Sequence, residues 1–177
     1  MRIKGIVDED FCNYKEPSMF IIFPSCTFKC EKESNCKLCQ NSNLISEPTI
    51  EIEEKTLGER YKSNLITKAI VLGGLEPFDS IFELQGFINC MRRQYQIKDK
   101  IIIYTGYTEE EILNGKIKEN NGKNQPLIEL IIFNILHEKN LIIKYGRFIP
   151  NQEPHLDPIL GIKLASDNQY AKEYNCK

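Results

Sequence analysis

The chain has 177 residues, enough for one domain with a substantial core and too few for two comfortable ones. Apolar residues make up 41% and charged residues 27%, and the formal net charge is −2 with lysines scattered along the chain, so no basic footprint marks a nucleic-acid binder. The N-terminus runs through Asp8, Glu9 and Asp10 without the apolar core of a signal peptide. The most apolar stretch, Leu127 to Leu136, is broken by Glu129 and Asn134 and is about half a membrane span, so the chain reads as cytoplasmic, with no membrane or nucleic-acid partner.

Ser18-Met-Phe-Ile-Ile-Phe-Pro24 is an apolar run ended by proline and predicts a buried strand. It feeds a polar, lysine-rich loop from Ser25 to Asn43 that has neither helical nor strand period. Thr49 to Ile66 predicts a helix with an acidic start, and Thr67 to Leu72 a second buried strand followed at once by Gly73-Gly74. Between Ser80 and Gln96, helical spacing puts Ile81, Leu84, Phe87, Ile88 and Met91 on one face. Lys100 to Tyr104 predicts a third strand, closed by Thr105-Gly106, and Thr108 with Glu111 three residues on predicts a capped helix start. Asn114 to Gln125 reads as an exposed loop, Pro126 opens a helix to His137, and Leu141 to Tyr145 is a fourth strand. The tail from Gly146 onward reads as mostly irregular.

Strands alternating with helices indicate a parallel α/β sheet with right-handed crossovers, and sites in such folds gather at the carboxyl ends of the strands. The cysteine loop, Gly73-Gly74 and Thr105-Gly106 each follow a predicted strand and so converge on one edge.

Of the seven cysteines, Cys26, Cys30, Cys36 and Cys39 fall within fourteen residues, while Cys12, Cys90 and Cys176 are isolated. In a reducing compartment such grouping points to metal or redox chemistry rather than disulfides. Cys26-x3-Cys30-x5-Cys36-x2-Cys39 suits either zinc or an iron–sulfur cluster, and its first pair is one residue wider than a zinc-ribbon knuckle. His137 and His155 stand in no ligand spacing with each other, and no Ser–His–Asp set or phosphate loop supports a hydrolase or kinase.

The segment Phe23-Pro-Ser-Cys-Thr-Phe-Lys-Cys30, ending in Cys39-Gln-Asn41, resembles the cluster loop of radical-SAM enzymes. Leu72-Gly-Gly-Leu-Glu-Pro-Phe78 is similar to that family's Gly-Gly-Glu-Pro turn, with Leu75 as an extra residue. Ile103-Tyr-Thr-Gly-Tyr-Thr-Glu-Glu-Glu-Ile112 resembles a stretch of anaerobic ribonucleoside-triphosphate reductase activating proteins. Lys144-Tyr-Gly-Arg-Phe148, Gly161 and Ser166-Asp-Asn-Gln169 match fainter C-terminal motifs, with Tyr145 in place of an Asp and Tyr170 in place of an Arg.

The resemblance implies a single radical-SAM domain over residues 1–177, an incomplete (β/α) barrel with mostly parallel strands. It implies a [4Fe–4S] cluster on Cys26, Cys30 and Cys39, with Cys36 as an alternative ligand. It also implies S-adenosylmethionine held near Gly73, Gly74, Glu76, Tyr104 and Thr105. Three ligands leave one iron open to the cofactor, and the family's cleavage of that cofactor yields a 5′-deoxyadenosyl radical. The implied partners are the large subunit of an anaerobic ribonucleotide reductase, which would receive a glycyl radical, and an external electron donor such as flavodoxin or ferredoxin. Two other readings are compatible with the same residues: a radical-SAM enzyme with another small-molecule or protein substrate, and a non-catalytic zinc or iron–sulfur module.

Overall fold

The computed structural model describes residues 1–35, 37, 39–117 and 124–174. Cys36, Cys176 and residues 118–123 of the loop expected at 114–125 lie outside the described residues.

The chain opens with β1 (Arg2–Ile3) and β2 (Gly5–Asp10), then β3 (Ser18–Ile22) and, in the cysteine loop, α1 (Lys29–Ser34). A 3-10 turn at Ser42–Ser46 leads to β4 (Ile50–Glu51) and α2 (Glu54–Ser63). Next come β5 (Ala69–Gly73), a 3-10 turn at Pro77–Ser80, and α3 (Ile81–Asn89), which runs on into a π-helical turn at Cys90–Gln94. The order continues with β6 (Lys100–Tyr104), α4 (Glu109–Leu113), α5 (Gln125–Leu136) and β7 (Leu141–Tyr145). It closes with β8 (His155–Asp157), β9 (Ile162–Leu164) and β10 (Tyr170–Tyr174).

Six strands form the main sheet in the order β10-β7-β6-β5-β3-β2. The pairs β3–β5, β5–β6 and β6–β7 are parallel, while β2 and β10 flank them antiparallel. This is the expected mixed α/β sheet with a parallel centre, in keeping with a partial barrel of the radical-SAM type.

The parallel strands are mostly apolar because both faces are covered. Met19, Ile21, Ile70, Leu72, Ile101, Ile103, Leu141 and Ile143 point to the helices. Their alternates Val71, Ile102 and Ile142 join Tyr14, Leu160 and Leu164 on the opposite face. Each fully buried side chain of this size contributes about 1.5–3 kcal/mol. The same alternation brings Tyr104 and its neighbour Lys144, paired across β6 and β7, onto the second face at the strands' carboxyl ends.

Two expectations are corrected and a third is refined. The helix expected from Thr49 starts only at Glu54, because Ile50 and Glu51 pair with Ile3 and Arg2. The cysteine loop holds the short helix α1, which the mixed charges of Lys29–Ser34 conceal. The tail, irregular over most of its length as expected, also carries three short strands that the sequence did not reveal: β8 and β9 form a hairpin, and β10 extends the sheet by pairing Tyr170–Tyr174 with Tyr145–Leu141. No helix among the described residues is long and apolar enough to cross a membrane.

Candidate functional site

A cavity of about 500 Å³ opens at the carboxyl ends of the parallel strands. That is within the ~300–1,000 Å³ usual for small-molecule and cofactor sites. Cys26, Cys30, Cys39, Gln40 and Asn41 form one wall, and Gly74, Glu76, Tyr104 and Thr105 another. Of the described residues expected to hold cluster or cofactor, Gly73 alone sits one step back, where a β-carbon would press on Tyr104 and Phe20. Gly74 adopts φ +75°, and a β-carbon there would lie 2.6 Å from Ile22 Cγ2, so both conformation and packing require glycine.

The segment after β3 is tied to the turn after β5. Ser25 accepts a hydrogen bond from Glu76 N (2.9 Å) through its carbonyl, and its hydroxyl meets Ser80 Oγ at 2.9 Å. Thr27 N donates to Asp79 Oδ2 (2.5 Å), and Asp79 Oδ1 accepts from Tyr107 Oη (2.6 Å). Asp79 is 1% exposed, so these bonds form away from water.

Glu76 joins two of the motifs. Its Oε1 accepts from Phe78 N (3.1 Å) and Thr105 Oγ1 (2.7 Å), and its Oε2 from Gly106 N (2.8 Å). A carboxylate has about four acceptor positions, so roughly one remains for a donor in the cavity. Burial, and then the neighbouring Asp79, raise its pKa to about 7 against the pull of these three bonds. Leu75, the extra residue of the turn, is buried and does not prevent Glu76 from reaching the cavity.

Thr105 Oγ1 also accepts from Tyr107 N (3.0 Å), and Tyr104 Oη donates to Asn13 O (2.5 Å). Both tyrosines of the Tyr-Thr-Gly-Tyr segment therefore have defined partners: Tyr104 lines the cavity and Tyr107 braces the cysteine segment. Lys144 enters the cavity wall, its ammonium donating to Gly146 O (2.9 Å). Burial lowers its pKa to about 8, with Glu76 and Cys30 opposing the shift.

The thiols of Cys26, Cys30 and Cys39 are free and partly buried. Burial pushes Cys26 up to about 12, and burial followed by the proximity of Cys39 raises Cys30. Metal binding at such thiols must release their protons, so affinity rises with pH. Among the described residues no three His, Cys, Asp or Glu side chains converge on one metal-ion position. A four-iron cluster takes one thiolate per iron, so its ligands need not converge as those of one zinc do. Three soft sulfur donors around a cofactor-sized cavity thus have the chemistry a [4Fe–4S] cluster requires, with the cavity adjoining them.

Sequence reasoning did not single out Asp79, Lys144 or Arg147 as site residues, nor Cys12, which lines the cavity rim. Asp79 and Arg147 had motif neighbours as their only signal. Lys144 was visible as a cation in an otherwise apolar strand.

The model of the 4Fe-4S single cluster domain family matches residues 18–138, more than half of the chain. Searches of curated proteins and of solved structures each return no match. The matched span runs from the strand before the cysteine loop to the helix before β7. The chain belongs to the 4Fe-4S single cluster domain family, a domain of the radical-SAM type whose cofactors are a [4Fe–4S] cluster and S-adenosylmethionine.

Proposed function

We propose that this chain is a glycyl-radical activating enzyme acting on the large subunit of an anaerobic ribonucleoside-triphosphate reductase, and that residues 1–177 form one radical-SAM domain. The observation that carries the radical-SAM part is the meeting of three free cysteines with Glu76 and Thr105 around one cavity. The Tyr104–Ile112 segment is what points to the reductase-activating branch.

In this reading Cys26, Cys30 and Cys39 hold the cluster. Cys36, outside the described residues, is the alternative to Cys39. Cluster and cofactor, once bound, would supply one-electron reductive chemistry at the cofactor's sulfonium, and with it the radical that hydrogen abstraction from a backbone glycine of the partner requires. Glu76 offers an acceptor for the cofactor's ammonium group, and Gly74 lets backbone approach the ligand. Tyr104 and Thr105 complete that wall, while the mostly apolar second face of the sheet limits water. The electron comes from an external donor of the flavodoxin or ferredoxin kind. A reducing cytoplasm suits thiols kept free for the cluster.

The test is anaerobic EPR of reconstituted, reduced protein with and without S-adenosylmethionine, with iron and zinc quantified, followed by incubation with the reductase. A [4Fe–4S]⁺ signal that changes with cofactor, and a glycyl-radical doublet on the reductase, are the expected results. A cofactor-responsive cluster without a doublet leaves a radical-SAM enzyme with another substrate. Stoichiometric zinc refutes the cluster assignment.

A further inference from the structure

Between Cys26 and Cys30 lies Phe28, held at φ 50°, ψ 40°. A bulky side chain in the left-handed region costs roughly 1–2 kcal/mol, and such a residue persists only where its surroundings determine it. The residues on either side of Phe28 supply that constraint.

On one side, Thr27 N is held by Asp79 Oδ2 at 2.5 Å. On the other, the Lys29 ammonium pairs with Glu111 Oε1. Both grips meet at Tyr107. Its hydroxyl donates to Asp79 Oδ1 at 2.6 Å, and its ring carries the Lys29 ammonium 5.5 Å from the centroid. The Arg147 guanidinium lies 5.8 Å from the same ring.

Glu111 is itself fixed. Arg147 Nη2 donates to both its oxygens at 2.7 and 2.8 Å, and Oε2 also accepts from Thr108 N at 3.0 Å in a capping box. Arg147 Nε lies 3.1 Å from Glu33 Oε2 without hydrogen-bond geometry, a charge contact that adds a second tie to α1.

We propose that Asp79 and Glu111 are positioning residues that hold Phe28 in its left-handed conformation from opposite sides of Tyr107, and so keep the Cys26 and Cys30 sulfurs turned into one cavity. The inference rests on the reading that these two cysteines are cluster ligands. Neither carboxylate is assigned as a ligand; Asp79 acts through the backbone of Thr27 and Glu111 through the side chain of Lys29. Glutamine at 111 preserves the capping box through its one amide oxygen, since Gln serves at that position as Glu does, and replaces the oxygen that binds Lys29 and Arg147, with its charge, by an NH2 group that cannot accept from them.

The experiment compares wild type, Glu111→Gln, Phe28→Gly and the double variant. The readouts are the rate of iron release from the reconstituted cluster to a chelator, and the rate of alkylation of each cysteine in the cluster-free protein. Exposed Cys12 serves as internal reference. Loss of a charged hydrogen bond predicts iron release about ten- to a hundredfold faster in Glu111→Gln, with faster alkylation at Cys30 and no change at Cys12. Glycine takes φ > 0 without the steric cost, so in the Phe28→Gly background the same substitution should change both rates by less than about threefold.

An equal effect of Glu111→Gln in both backgrounds, or no change at Cys30, overturns the inference. Failure of the underlying reading shows separately: Cys26→Ala and Cys30→Ala proteins would then reconstitute with the full iron content of wild type.

Discussion

Thr105→Val is the substitution whose cost follows most directly from the site. Thr105 is 3% exposed, and its hydroxyl donates to Glu76 Oε1 at 2.7 Å while accepting from Tyr107 N at 3.0 Å. Valine fills nearly the same volume, so the loss is confined to those two bonds. A hydrogen bond to a charged acceptor contributes about 1.5–3 kcal/mol, and a stranded buried N–H costs about 1–3 kcal/mol, giving about 2.5–6 kcal/mol together, with roughly 3–5 kcal/mol as the central range. For a chain of this length that is a fall in Tm of roughly 6–20 °C.

Urea unfolding of the cluster-free protein, monitored anaerobically with reductant, should show a lower midpoint at an unchanged slope. The variant should also act on Glu76, since the Thr105 bond is one of those drawing its carboxyl down toward 7 against burial. A folded-state pKa above the ordinary glutamate value means a contribution to stability that is fully present below that value and lost as pH rises through about 7. In Thr105→Val the loss should extend to higher pH. A stability change below about 1 kcal/mol, or an undiminished change in a Glu76→Gln background, would refute the assignment of a coupled pair.

Gly74→Ala should destabilise by roughly 2–4 kcal/mol, since it adds left-handed strain to a contact of 2.6 Å with Ile22, and the same urea assay reads it. Glu111 has the opposite pH sign to Glu76. Burial pulls its pKa up, but Arg147 and Lys29 outweigh this and hold it down to about 2. Its stabilisation is present above the ordinary glutamate value and is lost as pH falls toward 2, so Glu111→Gln should flatten the acid limb of the stability profile. Cys39→Ala should lower the iron bound after reconstitution, whereas Cys90→Ala and Cys12→Ala should leave iron content at the wild-type level, as iron analysis would show.

The centre of the sheet was legible because its strands are unambiguous. Ala69–Gly73, Lys100–Tyr104 and Leu141–Tyr145 are nearly all apolar and sit between helical periods, so their order and parallel sense follow from crossover rules. The flanking strands were not. Gly5–Asp10 carries three acidic residues and Tyr170–Tyr174 reads Tyr-Ala-Lys-Glu-Tyr, and an edge strand needs apolar residues on one face only. At the site, the cysteines and the glycine turn were visible as local patterns. Asp79 and Arg147 were not, because their roles depend on partners 52 and 36 residues away in sequence, Thr27 and Glu111. The capping box at Thr108 was predicted, but its second use, as the anchor for Arg147 and Lys29, is a tertiary property that spacing does not encode.

The antiparallel strands at the two ends of the sheet bear on self-association. An open sheet presents unpaired backbone at both edges and invites another chain to add a strand. Here one edge displays Asp8 and Glu9, with Asp8 bound to Arg60, and a register shift between Val7 and Asp10 interrupts the ladder. The other edge displays Lys172 and Glu173, bound to Glu109 and Lys100. Pairing β2 with the β2 of a second molecule would bring Asp8 and Glu9 against the same acidic residues, so charge opposes extension at that edge. The register shift in one outer strand and the charges on both are features that discourage the edge-to-edge addition of a further strand.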